Sequence, residues 1–113
     1  MTCLFCDIAS GKLLVTPLFE NEHVMAFNDI HPQAPTHILI IPKQHIQSVH
    51  DTQPEHAALL GELLLTAKAI AASAGLAEKG YRLILNTKQD GGQTVDHLHV
   101  HLLGGRQMTW PPG

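Results

Sequence analysis

Charge is scarce in this sequence and nowhere concentrated: 15% of residues are Asp, Glu, Lys or Arg, the formal net charge is −3, and no Lys/Arg run occurs. Broad electrostatic capture of nucleic acid is thereby excluded, because that mode needs many cationic side chains on one surface. An anionic substrate would have to be attracted by a site built locally. Residues 1–10 lack the basic start and apolar run of a secretory leader, and no apolar stretch reads as long enough to cross a bilayer. The expected compartment is the cytoplasm, with no membrane partner. Cysteine is sparse too, with Cys3 and Cys6 alone forming a C-x-x-C. In a cytoplasmic setting a structural disulfide is disfavoured, which leaves a metal pair, a redox pair or plain thiols. A redox pair would want a β-α-β context that the surrounding pattern does not offer. No repeat, low-complexity tract or composition break divides the chain, so residues 3–113 are expected to form one domain. A core of that size is modest, and oligomerisation is a common remedy.

What is present reads as an α+β chain. Residues 4–10 suit a short helix ended by Gly11. Residues 18–20 and 23–27 read as two short strands around a polar turn. Two prolines hold 29–35 extended as a loop, and the β-branched run 37–41 between Pro35 and Pro42 reads as a buried central strand. Thr52-Gln53-Pro54-Glu55 resembles a capping box opening the one long helix. Leu59, Leu60, Leu63, Leu64, Ala67, Ile70, Ala71 and Ala74 recur along it at helical spacing, and Gly75 is its natural stop. A strand over 81–86, a Gly-rich loop over 87–94 and a final strand over 97–103 complete a mostly antiparallel sheet.

Nine histidines are the compositional oddity. His97, His99 and His101 alternate with Leu98, Val100 and Leu102, so on a strand three imidazoles share one face while the aliphatic side chains face the core. Two chemistries suit such a face. One is a zinc centre with histidine ligands and an open position for water. The other is nucleophilic catalysis, since neutral imidazole is abundant near pH 7 and a phosphorus–nitrogen bond to it is readily hydrolysed. The preceding Asp90-Gly91-Gly92-Gln93-Thr94 favours the second, because two glycines let backbone N–H groups approach a phosphate without any net positive charge. A hydrolytic zinc site would want a carboxylate base nearby, and Asp96 points away from the histidine face. His23, His31, His50 and His56 read as surface residues.

The His-x-His-x-His-x-x run, with Asp29 through His37, Ile41-Pro42-Lys43, Gly91 through Val95 and the tail Gly104 through Gly113, resembles the histidine-triad superfamily, and within it the bacterial Hint branch of purine nucleoside phosphoramidases. The resemblance extends over essentially the whole chain. It implies a five-stranded sheet with one long and one short helix, and a homodimer that joins two sheets into one, with the long helix and the central strand at the interface. It implies cleavage of nucleoside 5′-phosphoramidates, releasing AMP or GMP, with no cofactor required for catalysis. His99 would be the nucleophile. His101 would contact the phosphoryl oxygens and assist proton transfer, and His97 and His37 would form a supporting imidazole chain. Asp29 would bind the ribose hydroxyls, with Leu4, Phe5, Ile8, Phe27 and Ile30 lining the base pocket and Asn86, Gly92, Gln93 and Thr94 positioning the phosphate. Trp110 in the tail would reach the partner subunit's site. Some bacterial relatives hold a structural zinc, and the matching positions here are Cys3, Cys6, His45 and His97. Competing readings are a nucleotide-binding sensor without turnover, a zinc hydrolase, and a dinucleotide hydrolase of the same superfamily.

Overall fold

The computed structural model of the chain describes residues 3–113. Helix α1 (Leu4–Ala9) is followed by strands β1 (Phe19–Glu20), β2 (Val24–Asn28) and β3 (Thr36–Pro42). Two short 3-10 turns, Val49–Asp51 and Pro54–His56, lead into α2 (Ala57–Ser73), and β4 (Tyr81–Ile84) and β5 (Val100–Gly104) close the sheet. The strands lie in the order β1-β2-β3-β5-β4, each neighbouring pair antiparallel. The α+β class, the five-stranded sheet and both helices are therefore as expected.

Both faces of the sheet are covered, which explains why the β3 sequence is apolar at nearly every position. Ile38, Ile40, Val100 and Leu102 meet Leu63, Ala67 and Ala71 of α2. Met25, Phe27, Leu39 and Ile41 point the other way and pack under Phe5 and Ile8 of α1. Burying an Ile such as Ile40 or Ile41 completely is worth about 1.5–3 kcal/mol each, so the central strand is a rigid platform for the side chains interleaved with its core residues.

Several local expectations need correction. The capping box sits one residue later than Thr52: Gln53 is the cap, its N–H donates to His56 Nδ1 at 2.9 Å, and Pro54 occupies the first turn. Thr52 instead closes the preceding turn through Oγ1 to the Val49 carbonyl. The α2 stripe is narrower than its spacing suggests, because Leu64 and Ala74 are exposed while Thr66 is buried. By length and composition, 54–73 does reach what a membrane span requires, at 20 residues and mean hydropathy 1.2. Here its Leu63, Ala67 and Ala71 face the sheet. β4 ends at Ile84 rather than at residue 86.

The last strand begins at Val100, so His97 and His99 precede it. The ladder stops because β3 ends at Pro42, which has no N–H to donate, and the Leu98 N–H turns instead to the Ile46 carbonyl at 2.7 Å. The alternation survives this loss of pairing. Leu98 joins the α2-side core, and His97 and His99 meet Phe5 on the α1 side.

Candidate active site

The side chains of His99, His101 and His37 come together on the α1 face of the sheet. His37 and His101 are brought together by the β3–β5 register, which pairs His37 with Leu103 and Leu39 with His101. Their protons can be assigned from the hydrogen bonds. The Gln33 N–H donates to His37 Nδ1 at 3.0 Å, so neutral His37 carries its proton on Nε2. That N–H lies 2.9 Å from His101 Nδ1 and 3.4 Å from Asp29 Oδ2. His101 Nδ1 is therefore an acceptor, and its own proton sits on Nε2. In His99 the order is reversed: Nδ1–H donates to the His97 carbonyl at 2.7 Å, leaving Nε2 as a lone pair. Among the described residues no buried side-chain polar atom lacks a partner, so the unpartnered Nε2 of His99 is open to solvent.

It opens on a cleft of about 330 Å³. Leu4, Phe5, Ile8, Phe27, Asp29, Ile30 and Thr94 of the expected set line it with His99 and His101, and no Lys or Arg does. Leu13, Val15, Leu39, Val95 and His31 also line it and were not anticipated. His31, expected on the surface, is exposed but stands on the rim, its N–H held by Asp29 Oδ1 at 2.8 Å. Only proximity to Asp29 in the loop could have signalled it.

The Gly-rich loop departs from expectation. Asn86 Nδ2 donates to the Gly91 carbonyl at 2.7 Å. Gln93 Nε2 donates to the Gln47 and Val95 carbonyls, and its Oε1 accepts from the Lys88 N–H. These two amides brace the loop, and neither lines the cleft. Gly92 turns it at φ +77°, and a Cβ on Gly91 would lie 2.4 Å from the Thr87 carbonyl oxygen, so both glycines are required sterically. Trp110 stands 83% exposed on the tail, away from its own cleft lining.

His97 does not join the imidazole chain through its ring. Its backbone carbonyl serves His99, while Nε2–H donates to the Pro42 carbonyl at 2.8 Å. Its Nδ1 lone pair faces Cys3 Sγ at 3.3 Å, Cys6 Sγ at 3.4 Å and His45 Nδ1 at 3.1 Å, and Cys6 Sγ lies 3.3 Å from His45 Nδ1. Ligands around tetrahedral zinc stand about 3.3–3.8 Å apart, by the usual Zn–N and Zn–S lengths. This donor set fits the ion. Burial, Cys3 and Asp7 push the Cys6 thiol up to about 11, so a thiolate here needs a cation beside it. The Asp29, His37 and His101 group is close-set too, but a cation there would strip the proton from His37 Nε2 while Gln33 occupies Nδ1. That group is a hydrogen-bond chain.

Burial lowers the pKa of His37, His97 and His99 below the ordinary imidazole value. Burial, with His99 and His37 beside it, takes His101 down to about 4. The unfolded chain therefore binds protons first on acidification: stability from His101 is full above pH ~6.5 and is lost as the pH falls towards 4. We expect the melting temperature to drop on the order of 4–8 °C between about pH 7 and 4.5 from this ring, after allowance for its partly buried position. Calorimetry of His101→Gln should show a flatter acid limb, and an unchanged slope would contradict the assignment.

Comparisons with known proteins identify the family to which this sequence and fold are similar. The family model for the HIT domain matches residues 15–108. A 14 kDa zinc-binding protein of Zea mays is 49% identical, covering 97% of this chain and 87% of that one. The adenylylsulfatase HINT1 of Arabidopsis thaliana is 47% identical over 97% of this chain and 76% of its own. A HIT family hydrolase from Legionella pneumophila Philadelphia 1 superposes with a TM-score of 0.97 at 54% identity, covering 99% of this chain and all of that one.

Proposed function

This chain belongs to the HIT domain family, and on that premise we propose that it is a hydrolase cleaving the P–N bond of purine nucleoside 5′-phosphoramidates. The reading rests above all on one observation: His99 keeps its proton on Nδ1 and presents a bare Nε2 to an apolar cleft. In the first step Nε2 attacks phosphorus and the P–N bond breaks, with the amine nitrogen taking a proton from solvent. In the second step water attacks the nucleotidyl-His99, frees AMP or GMP and returns that proton. Dividing one displacement into two lowers each barrier.

His101 supports both steps as a neutral Nε2–H donor to a phosphoryl oxygen. Its expected part in proton transfer would use the same Nε2–H, with the His37 N–H standing behind Nδ1 to replace the proton. Asp29, at the rim, suits paired ribose hydroxyls, and Leu4, Phe5, Ile8, Phe27 and Ile30 offer an apolar slot for a planar base. With no Lys or Arg lining the cleft, phosphate charge falls to Thr94 and to imidazole, because the Gly92 and Gln93 N–H groups already donate to the Gln89 and Lys88 carbonyls. Cys3, Cys6, His45 and His97 would hold a structural zinc, which pins the start of α1 to the segment that carries the nucleophile.

We read the working unit as a homodimer. The central strand β3 has both edges occupied by β2 and β5, so it cannot extend the sheet; the outer strands are β1, of two residues, and β4, of four, and β4 is the edge we assign to the partner. Leu64 and Leu65 add exposed apolar area on α2, and Arg82 of β4 holds the Thr109 carbonyl at 2.8 Å, so the tail with Trp110 starts from the same edge.

The Arabidopsis relative's name supports a second substrate class, adenylyl sulfate, with sulfate leaving in place of amine. The test is hydrolysis of adenosine 5′-phosphoramidate and adenylyl sulfate by the purified protein, following AMP with and without a strong chelator. Chelator-resistant release of AMP from the phosphoramidate is the expected result. Release from adenylyl sulfate alone would move the substrate class, and AMP binding without any release would make the site a sensor.

A further inference from the structure

Outside the cleft, Arg106 is tied to the loop that carries Gln33. Its Nε and Nη2 both donate to the Gln33 carbonyl, at 3.2 and 3.0 Å, and Nη1 donates to the Gln107 carbonyl at 3.2 Å. The guanidinium fork is thus spent on one backbone oxygen 73 residues away in sequence. The approach is close because Gly105 takes φ +91° beside Pro35, where a Cβ would come within 2.9 Å of the proline ring.

Gln33 is consequently gripped on both sides. Its carbonyl is held by Arg106, and its N–H donates to His37 Nδ1. That N–H, with Asp29 Oδ2 at 3.4 Å from Nε2, holds the His37 proton on Nε2, and the Nε2 proton is what keeps His101 Nδ1 an acceptor and leaves His101 Nε2 as the donor. We propose that Arg106 is a positioning residue: by clamping Gln33 it fixes the tautomers of His37 and His101, and so keeps an N–H aimed at the phosphoryl group. The inference deepens the proposed function and rests on the role given there to His101.

Without the clamp, the 29–35 loop can withdraw the Gln33 N–H. His37 then shares its proton between Nδ1 and Nε2, and His101 spends part of its time with the proton on Nδ1, turned away from the substrate. Hydrogen bonds that orient metal-bound imidazoles typically carry about 10- to 100-fold in activity, and we take the same scale for these rings. Arg106 is exposed, so its replacement leaves the core intact. Lysine can donate to the same carbonyl, but through one point rather than a fork.

The experiment pairs kinetics with NMR on Arg106→Ala and Arg106→Lys. Long-range ¹H–¹⁵N spectra of the ligand-free protein report which imidazole nitrogens bear protons. The wild type should show Nε2–H at both His37 and His101, Arg106→Ala a mixture at both, and Arg106→Lys an intermediate pattern. With adenosine 5′-phosphoramidate, Arg106→Ala should lose about 10- to 100-fold in kcat with KM within about twofold, partly rescued by lysine. Unchanged tautomers in the alanine variant would overturn the inference, even if activity fell. So would altered tautomers with kcat unchanged. If the alanine variant fails to fold, the same two readouts on the lysine variant decide. Should the wild type release no AMP, the proposed function fails, while the spectra still decide whether Arg106 sets the two rings.

Discussion

Replacing His99 with Asn should abolish hydrolysis of adenosine 5′-phosphoramidate, by about 10⁴-fold or more, while AMP binding stays within a few-fold of wild type. Losses of this size follow when the nucleophile of a covalent mechanism is removed. Asparagine is the informative choice, because its amide can still donate to the His97 carbonyl that holds the His99 ring at 2.7 Å. The edge-to-face contact with Phe5 goes with the ring, as does the lone pair that attacks phosphorus. Initial-rate assays and calorimetric AMP titration measure the two arms. Residual turnover near the wild-type rate would remove His99 from the nucleophile's role. Loss of AMP binding in parallel would mean that the ring shapes the cleft rather than attacking within it. Brief quenching of the wild type with excess substrate should also trap a phosphorus-linked nucleotide on the protein, and the His99→Asn variant should trap none.

The second large effect concerns the Cys/His cluster. We expect about one zinc per chain by elemental analysis, and a fall in melting temperature on the order of 10–20 °C in Cys6→Ser or after exhaustive chelation. Four donors from three separate segments meet there: Cys3 and Cys6 from α1 and its cap, His45 after β3, and His97 before β5. Losing an ion that ties three segments releases all of them. Below the lowered melting temperature, turnover should persist, because the proposed covalent step uses only His99. Complete loss of activity in a chelated protein that is still folded would instead favour a zinc hydrolase. Absence of bound zinc, with Cys6→Ser as stable as wild type, would return Cys3 and Cys6 to plain thiols.

Much of this molecule is legible in its sequence, and the reasons are specific. Period-two alternation at 97–103 puts three imidazoles opposite three aliphatic side chains, and that holds even though the ladder begins only at Val100. Strand geometry fixes the side of the backbone a residue faces, whether or not its N–H is paired. The apolar run of β3 marks a strand buried on both faces. Local signals are weaker where tertiary contacts compete with them. Thr52 resembles a helix cap, but its hydroxyl turns back to Val49 and Gln53 caps instead. Gln93 and Asn86 have the right chemistry for a phosphate, yet their amides are consumed by nearby backbone groups. Nothing in the order of residues announces which partner a free amide will find.

By itself, then, the sequence determined the fold class, the face on which the histidines lie and the chemical types gathered there, because these follow from side-chain periodicity and composition. The tertiary structure alone decided where each proton sits. His99 is bare at Nε2 and His101 at Nδ1 because of a carbonyl from His97 and an N–H from Gln33, and both are backbone groups that nearly every residue possesses. In the proposed reading, identical imidazoles take the roles of nucleophile, donor and metal ligand only through what stands within hydrogen-bonding distance, and that is set by register, turns and packing across the described residues.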